Sequence, residues 1–250
     1  MTEHKKIVII PAYNEEQSIV KQCDEIRENG KGYDILVIND CSEDATYEKC
    51  VSNDIKVISH AVNLGIGGTV QTGYRYAAAN GYEFAVQIDG DGQHDASYLN
   101  SMYDALIKEK ADMVIGSRFI SKEGFQSTPF RRLGIRFFSF LIKILTGKTI
   151  TDPTSGYRMI GSTLIREFAE DYPQDYPEPE SIIRVLRRGR KIVEVPVVMR
   201  ERSAGRSSIG LAASAYYMIK VTIAIILERM RRNQFYRMVY GRSLHKGVGF

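Results

Sequence analysis

The chain has 250 residues, 44% of them hydrophobic and 26% charged, with a formal net charge of +4. That is enough apolar mass for one sizeable core, and it excludes a low-complexity disordered chain. The modest charge excludes a general polyanion binder, so no nucleic-acid partner is expected, although arginines gather in 184–242 and acids in 171–180.

Residues 7–10 form a short β-branched run ended by Pro11, which predicts a buried strand of the parallel type. The run is too short for a signal peptide, so a cytoplasmic start is expected. A helix is predicted over 15–27, a second strand over 35–38 ending in Asn39-Asp40, and a helix over 42–51 with Ser42 or Asp44 as cap. Strand 55–59, helix 68–79, strand 84–88, helix 96–109 and strand 113–116 continue the alternation. Such spacing implies βαβ units, hence an α/β, Rossmann-like, mostly parallel sheet flanked by helices. Ligands of these sheets bind beyond the carboxyl ends of the strands. The polar residues after each strand should therefore meet in one crevice: Tyr13-Asn14-Glu15, Asn39-Asp40, Asn63 and the stretch from Asp89 to Asp95.

The second half is less regular. An amphipathic basic helix is predicted over 130–145, a loop over 151–158, a helix over 181–188 and a strand over 192–198. The polar loop ERSAGRSS (201–208) precedes 19 mostly apolar residues (209–227) whose only charge is Lys220, followed by a basic stretch. We expect a catalytic domain over 1–208 and a C-terminal amphipathic helical tail over 209–250. Lys220 argues against a membrane span, so a helix lying in the membrane interface or packed on the sheet is expected, and the basic, tyrosine-bearing flank suits an anionic membrane surface. Cys23, Cys41 and Cys50 form no CxxC pair, and an odd count fits reduced thiols in the cytoplasm.

The densest chemical signal is VQIDGDGQHD (86–95). A buried strand delivers Asp89 and Asp91 into a turn bearing Gly90 and Gly92, which allow tight geometry and close approach. Carboxylate and amide oxygens suit Mg2+ or Mn2+, which neutralises a diphosphate leaving group. His94 reads as a capping or packing residue. An isolated pair of carboxylates would more often be a solvated turn.

The pair is not isolated. IPAYNEE, VINDCSEDAT, NLGIGGTVQTGYRYA, QIDGDGQHD, GSRF and TDPTSGYRM occur in this order over about 5–210. Together they resemble the inverting family 2 glycosyltransferases of GT-A fold, nearest the branch that makes dolichyl-phosphate and polyprenyl-phosphate sugars. The resemblance implies a UDP- or GDP-sugar donor and a divalent cation. Pro11, Tyr13 and Glu15 match nucleoside-holding positions, and Asp40 matches a carboxylate that contacts the base. Asp89 lies near ribose and metal, Asp91 is the principal metal ligand, and Gln93 is a further one. Arg118 matches an arginine at the sugar or phosphates. Many relatives carry a lysine where Ile66-Gly67 stands, so only backbone N–H groups near Gly67 and Gly68 are expected to serve phosphate there.

For the acceptor, Asp152 matches a base or orienting carboxylate, with Glu178 and Glu180 as alternatives. A saccharide hydroxyl acceptor needs such a base. A polyprenyl phosphate is already anionic and needs cations, a role open to Arg131, Arg132, Arg202 and Arg206. The expected site is therefore a transferase acting on a polyprenyl phosphate, or alternatively on a cell-wall or capsular saccharide. It would work peripherally at the cytoplasmic membrane face. A small membrane protein or a second copy of the chain could supply a missing anchor. A non-catalytic nucleotide-sugar-binding protein is disfavoured by Asp89, Asp91 and Asp152. A nucleotidyltransferase is disfavoured by the lack of a glycine-rich, lysine-bearing N-terminal loop.

Overall fold

A computed structural model of the protein describes residues 4–126, 128–201, 218 and 220–227. β1 (Lys6–Ala12), β2 (Tyr33–Asn39), β3 (Val57–Ser59), β4 (Phe84–Gln87), β5 (Met113–Ser117), β6 (Arg158–Gly161) and β7 (Ile192–Pro196) form one sheet in the order β3-β2-β1-β4-β6-β5-β7. Every neighbouring pair is parallel except those made by β6, which runs antiparallel to both β4 and β5.

The β1 sequence explains the two-sided core. Successive strand residues point to opposite faces. Ile7 and Ile9 join one cluster, under α3 (Gly65–Ala79), α6 (Ser162–Glu170) and α7 (Pro177–Arg187). Val8 and Ile10 join the other, under α1 (Ile19–Asn29), α2 (Thr46–Ser52) and α4 (Leu99–Lys108). All four are at most 1% exposed, so neither face of β1 meets water, as its unbroken apolar run requires.

The predicted strands and helices of the first half are all present. The second half holds two elements that periodicity did not reveal, β6 and α6. β6 is only four residues long, RMIG, and begins with a charged residue, so it lacks a strand signature. α7 starts at Pro177, four residues before the expected start, because proline suits the first helical turn. α5 (Pro129–Thr146) follows the sequence signals closely. The Thr128 hydroxyl caps it, proline opens it, and Gly147 closes it at φ 73°.

The described part of the C-terminal region does not stand apart from the catalytic core. Val221 and Ile225 are fully buried in the cluster that contains Ile7 and Ile9. Each such burial stabilises by about 1.5–3 kcal/mol, so these residues belong to the domain energetically. Lys220 is not a charge in hydrocarbon: its Nζ lies 3.2 Å from an Asp175 oxygen and 5.4 Å from the centre of the Tyr176 ring. Among the described residues no helix is long and apolar enough to cross a membrane.

Candidate functional site

The ends of β1 and β2 build a shelf. Ala12 pairs with Asn39, which sets Tyr13 beside Asp40. The two loops are then stitched together. Asn14 N–H donates to the Ser42 hydroxyl at 3.0 Å, and Glu43 N–H donates to the Asn14 side-chain oxygen at 2.8 Å. Glu15 N–H donates to Thr46 Oγ1, and Glu16 N–H to Asp44. Asn14 and Cys41 both adopt left-handed backbone, at φ 57° and 59°, a cost that the cross-loop bonds offset. Tyr13 is 45% exposed above this shelf, whereas Pro11 is buried, with its carbonyl against Gly90. The Glu15 carboxylate accepts from the Ser18 hydroxyl at 3.0 Å.

Asp40 is 4% exposed, and its carboxylate is almost fully engaged. It accepts from Leu64 N–H (2.8 Å), Gly65 N–H (2.9 Å) and the His60 ring (2.8 Å). It therefore caps the start of α3. Asp40 takes the first two N–H groups there, those of Leu64 and Gly65, and the following glycines are also required for packing. A Cβ on Gly67 would lie 2.2 Å from the Gln174 carbonyl oxygen, and one on Gly68 would lie 2.7 Å from Leu64 Cβ.

Beyond β4 the DGDG turn carries Asp89 and Asp91. The Asp89 side chain is 36% exposed, and its Oδ1 accepts from Gln87 at 3.1 Å. Its N–H donates to His94 Nδ1 at 3.0 Å, and the buried His94 ring stacks on Tyr157 with centroids 5.0 Å apart. His94 is thus a packing residue that fixes the turn. Asp91 is half-buried, and its Oδ1 accepts from Gln93 N–H at 3.0 Å. The Gln93 amide nitrogen donates to the Arg200 carbonyl at 3.3 Å, which leaves its amide oxygen for a cation. Arg200 N–H returns a bond to the Gln93 carbonyl, and the Arg200 guanidinium pairs with Glu25 and Asp95.

The antiparallel strand brings the 151–157 loop to this turn. Because β6 runs against β4, with Arg158 opposite Gln87, the loop before it lies at the carboxyl end of the parallel strands. A Cβ on Gly156 would sit 2.9 Å from Asp89 Oδ2 and 3.1 Å from Gln87 Nε2, so only glycine leaves room there. Arg158, 1% exposed, ties the arrangement together. Its guanidinium donates to the Pro153, Ser155 and Glu178 carbonyls and to the Ser181 hydroxyl, at 2.7–3.1 Å. Sequence reasoning gave Arg158 no role; a lone arginine opening a strand was the one available signal.

Arg118 and Asp152 form one buried unit. Asp152 is 0% exposed, and Arg118 holds both its oxygens at 2.7 Å in a bidentate pair, with a further bond to Thr154 Oγ1. In this arrangement both Asp152 oxygens are engaged by the Arg118 guanidinium. Behind them the Glu194 carboxylate accepts from Thr151 N–H, Thr151 Oγ1 and Asp152 N–H at 2.8–2.9 Å. Burial pushes the Glu194 carboxyl above its ordinary range against those bonds. Neither Glu194 nor His60 stood out in the sequence.

Glu178 and Glu180 lie half-buried in the first turn of α7. Burial pushes the Glu178 carboxyl up, the charges of Arg158 and Arg131 oppose this, and Asp89 adds to it. Arg131 is exposed and Arg132 half-buried at the start of α5. Along α5, Leu133, Phe137, Phe140 and Ile144 form an outward stripe, 38–64% exposed, flanked by Arg136 and Lys143. Arg202 and Arg206 lie outside the described residues.

Among the described residues no cluster of three or more His, Cys, Asp or Glu side chains encloses a metal. Asp89 and Asp91 nonetheless fit Mg2+ or Mn2+ that draws its other ligands from water and diphosphate oxygens, as Mg2+ usually does with nucleotides. The Asp89 side chain, 36% exposed, is accessible to such a cation.

A mixed seven-stranded sheet with a carboxylate-bearing turn at the carboxyl end of its fourth strand defines the GT-A class. Solved structures agree on the fold. Glucosyl-3-phosphoglycerate synthase from Mycobacterium tuberculosis in complex with phosphoglyceric acid superposes with a TM-score of 0.69 at 21% identity, covering 90% of this chain and 80% of that one. The same enzyme with Mn2+, UDP-glucose and phosphoglyceric acid gives 0.68 at 19% identity, covering 90% and 79%. The chain belongs to glycosyl transferase family 2, whose profile matches residues 7–169. An undecaprenyl-phosphate mannosyltransferase of Micrococcus luteus is 29% identical, over 86% of this chain and 92% of the relative. A polyprenol monophosphomannose synthase of Mycolicibacterium smegmatis is 27% identical, over 91% and 89%.

Proposed function

We propose that this chain transfers a sugar, with inversion, from a nucleoside-diphosphate sugar to a polyprenyl phosphate. The observation that carries the reading is the position of the Asp89-Gly90-Asp91 turn, at the carboxyl end of β4 and against the end of β1 that bears the Tyr13–Asp40 shelf. The donor's nucleoside rests on Tyr13, Glu15 and Asp40. Asp91, with Asp89 and Gln93, would hold Mg2+ or Mn2+, which would supply charge stabilisation for the leaving diphosphate. The acceptor phosphate oxygen attacks the anomeric carbon, and the nucleoside diphosphate departs. Arg131 and Arg132, with Arg202 and Arg206, attract the acceptor phosphate. Relatives named for undecaprenyl and polyprenol phosphates support this acceptor class.

The burial of Asp152 favours a phosphate acceptor over a saccharide hydroxyl. A hydroxyl needs a positioned base, and Asp152 has both oxygens committed to Arg118. Glu180 then acts, if at all, in orienting the acceptor. The stripe on α5, apolar with basic flanks, suits the cytoplasmic surface of an anionic membrane, where the lipid is found. A small membrane protein or a second copy of the chain could add to that anchoring.

The test is transfer from a panel of radiolabelled UDP-, GDP- and dTDP-sugars to polyprenyl phosphate in anionic vesicles, with and without Mn2+. The expected product extracts into organic solvent and is labile to mild acid. Label transferred only to saccharides would overturn the acceptor assignment. A second expectation concerns Gly156→Ala. The added methyl must displace the Asp89 carboxylate. A misplacement of that kind costs about a hundredfold in turnover, accompanied by a higher Mn2+ requirement. Unchanged turnover and Mn2+ dependence would show that Asp89 does not serve the metal.

A further inference from the structure

We infer that Asp40 and His60 together select a donor whose base is uracil or thymine and reject guanine; this rests on the nucleotide-sugar reading above. An ionised carboxylate offers about four acceptor positions, two per oxygen. On Asp40 Oδ1 both are filled, by His60 Nδ1 and by Leu64 N–H, each at 2.8 Å. On Oδ2 one is filled, by Gly65 N–H at 2.9 Å. A single acceptor position therefore remains, on Oδ2.

Bases differ in how many donors they offer such a group. Uracil and thymine present one, the imide N3–H. Guanine presents two adjacent donors, N1–H and the 2-amino group, which match both oxygens of a carboxylate at once. Here the second oxygen is saturated, so docked guanine leaves a buried N–H without a partner. Cytosine offers one donor on that edge, its 4-amino group, so the count alone does not set it against uracil. Leaving one buried donor unpaired costs on the order of tenfold to a hundredfold in affinity.

His60 is the adjustable part of this count. Leu64 and Gly65 supply backbone N–H groups that only proline would remove, whereas the third donor is a side chain. Because Asp40 only accepts, the hydrogen is on His60 Nδ1. The ring is braced from behind, with Nε2 3.0 Å from the Thr72 hydroxyl, and its side chain is 10% exposed. His60 is thus a positioning residue: it occupies Oδ1 and fixes which edge of a base Asp40 can accept. Tyr13, beside Asp40 on the shelf, gives the base a face to stack on and is indifferent to the choice, since every base has one.

The test is equilibrium binding of UDP, dTDP, GDP and CDP to the full chain with Mn2+, followed by the same set on His60→Phe and His60→Asn. The wild type should bind UDP or dTDP at least about tenfold more tightly than GDP. His60→Phe empties one position on Oδ1 and should narrow the gap between UDP and GDP severalfold. His60→Asn, which can keep a donor near the Nδ1 position, should restore it. A wild type that binds GDP as well as or better than UDP overturns the inference and leaves the nucleotide-sugar reading intact. Binding of none of the four overturns both. A UDP preference unaltered in a folded His60→Phe protein overturns the part assigned to His60.

Discussion

Asp152→Ala is expected to destabilise the protein by about 3–5 kcal/mol, because it strands the Arg118 guanidinium without its counter-charge. Arg118 is only 7% exposed, so water cannot replace the two 2.7 Å bonds that Asp152 supplies. At this chain length the loss corresponds to roughly 6–20 °C in the unfolding midpoint. Asp152→Asn keeps the shape and should lose somewhat less, since one side-chain oxygen still accepts. The double replacement Arg118→Met with Asp152→Leu removes both charges and should recover most of the stability. Buried ion pairs are often matched by apolar residues of similar volume. Thermal unfolding of these proteins checks this, and adding the single variants Arg118→Met and Asp152→Leu completes a double-mutant cycle. The comparison also separates two roles for Asp152. A general base would cost turnover in Asp152→Asn while the midpoint stays where it was. A positioning partner costs both together, and that is the expected result.

Asp91→Ala is expected to behave in the opposite way. Asp91 is half-buried in a turn, and the bond that defines its local role is the one from Gln93 N–H. Losing it should cost about 1 kcal/mol of stability. Turnover should fall about a thousandfold, because the cation's stabilisation of the departing diphosphate is worth several kcal/mol. Asp91→Asn keeps one neutral oxygen for the cation and should fall between. Steady-state transfer rates over a Mn2+ titration, with the unfolding midpoint as control, decide the matter. A residual rate within tenfold of wild type would remove Asp91 from the metal site and with it the mechanism proposed for the turn.

The contrast between these two aspartates is invisible in the linear chain. Both stand in glycine-containing loops that match family motifs, and both were assigned to catalysis on that ground. Asp91 follows a strand whose period and burial could be read directly, so its loop was placed correctly at a strand end. Asp152 belongs to a loop whose position depends on β6, and β6 carries no periodicity of its own. Its four residues take their direction from pairing with β4 and β5 on either side.

Length, alternation of apolar runs, and residue type at strand ends were enough to determine the α/β class. They also set the parallel core around β1 and the meeting of Tyr13, Asp40, Asp89 and Asp91 beyond the strand ends. These follow from local rules: β-branched runs bury as strands, and polar residues after them face the crevice. Tertiary structure alone decided how those groups are occupied. Asp40 spends three of its acceptor positions on His60 and the start of α3, and Gly156 leaves the gap that Asp89 fills. Arg118 closes on Asp152, while Val221 and Ile225 enter the core from a stretch that sequence alone left between a membrane-surface helix and one packed on the sheet. Hydrogen-bond saturation and close packing depend on contacts between residues far apart in the chain, and no local pattern encodes them.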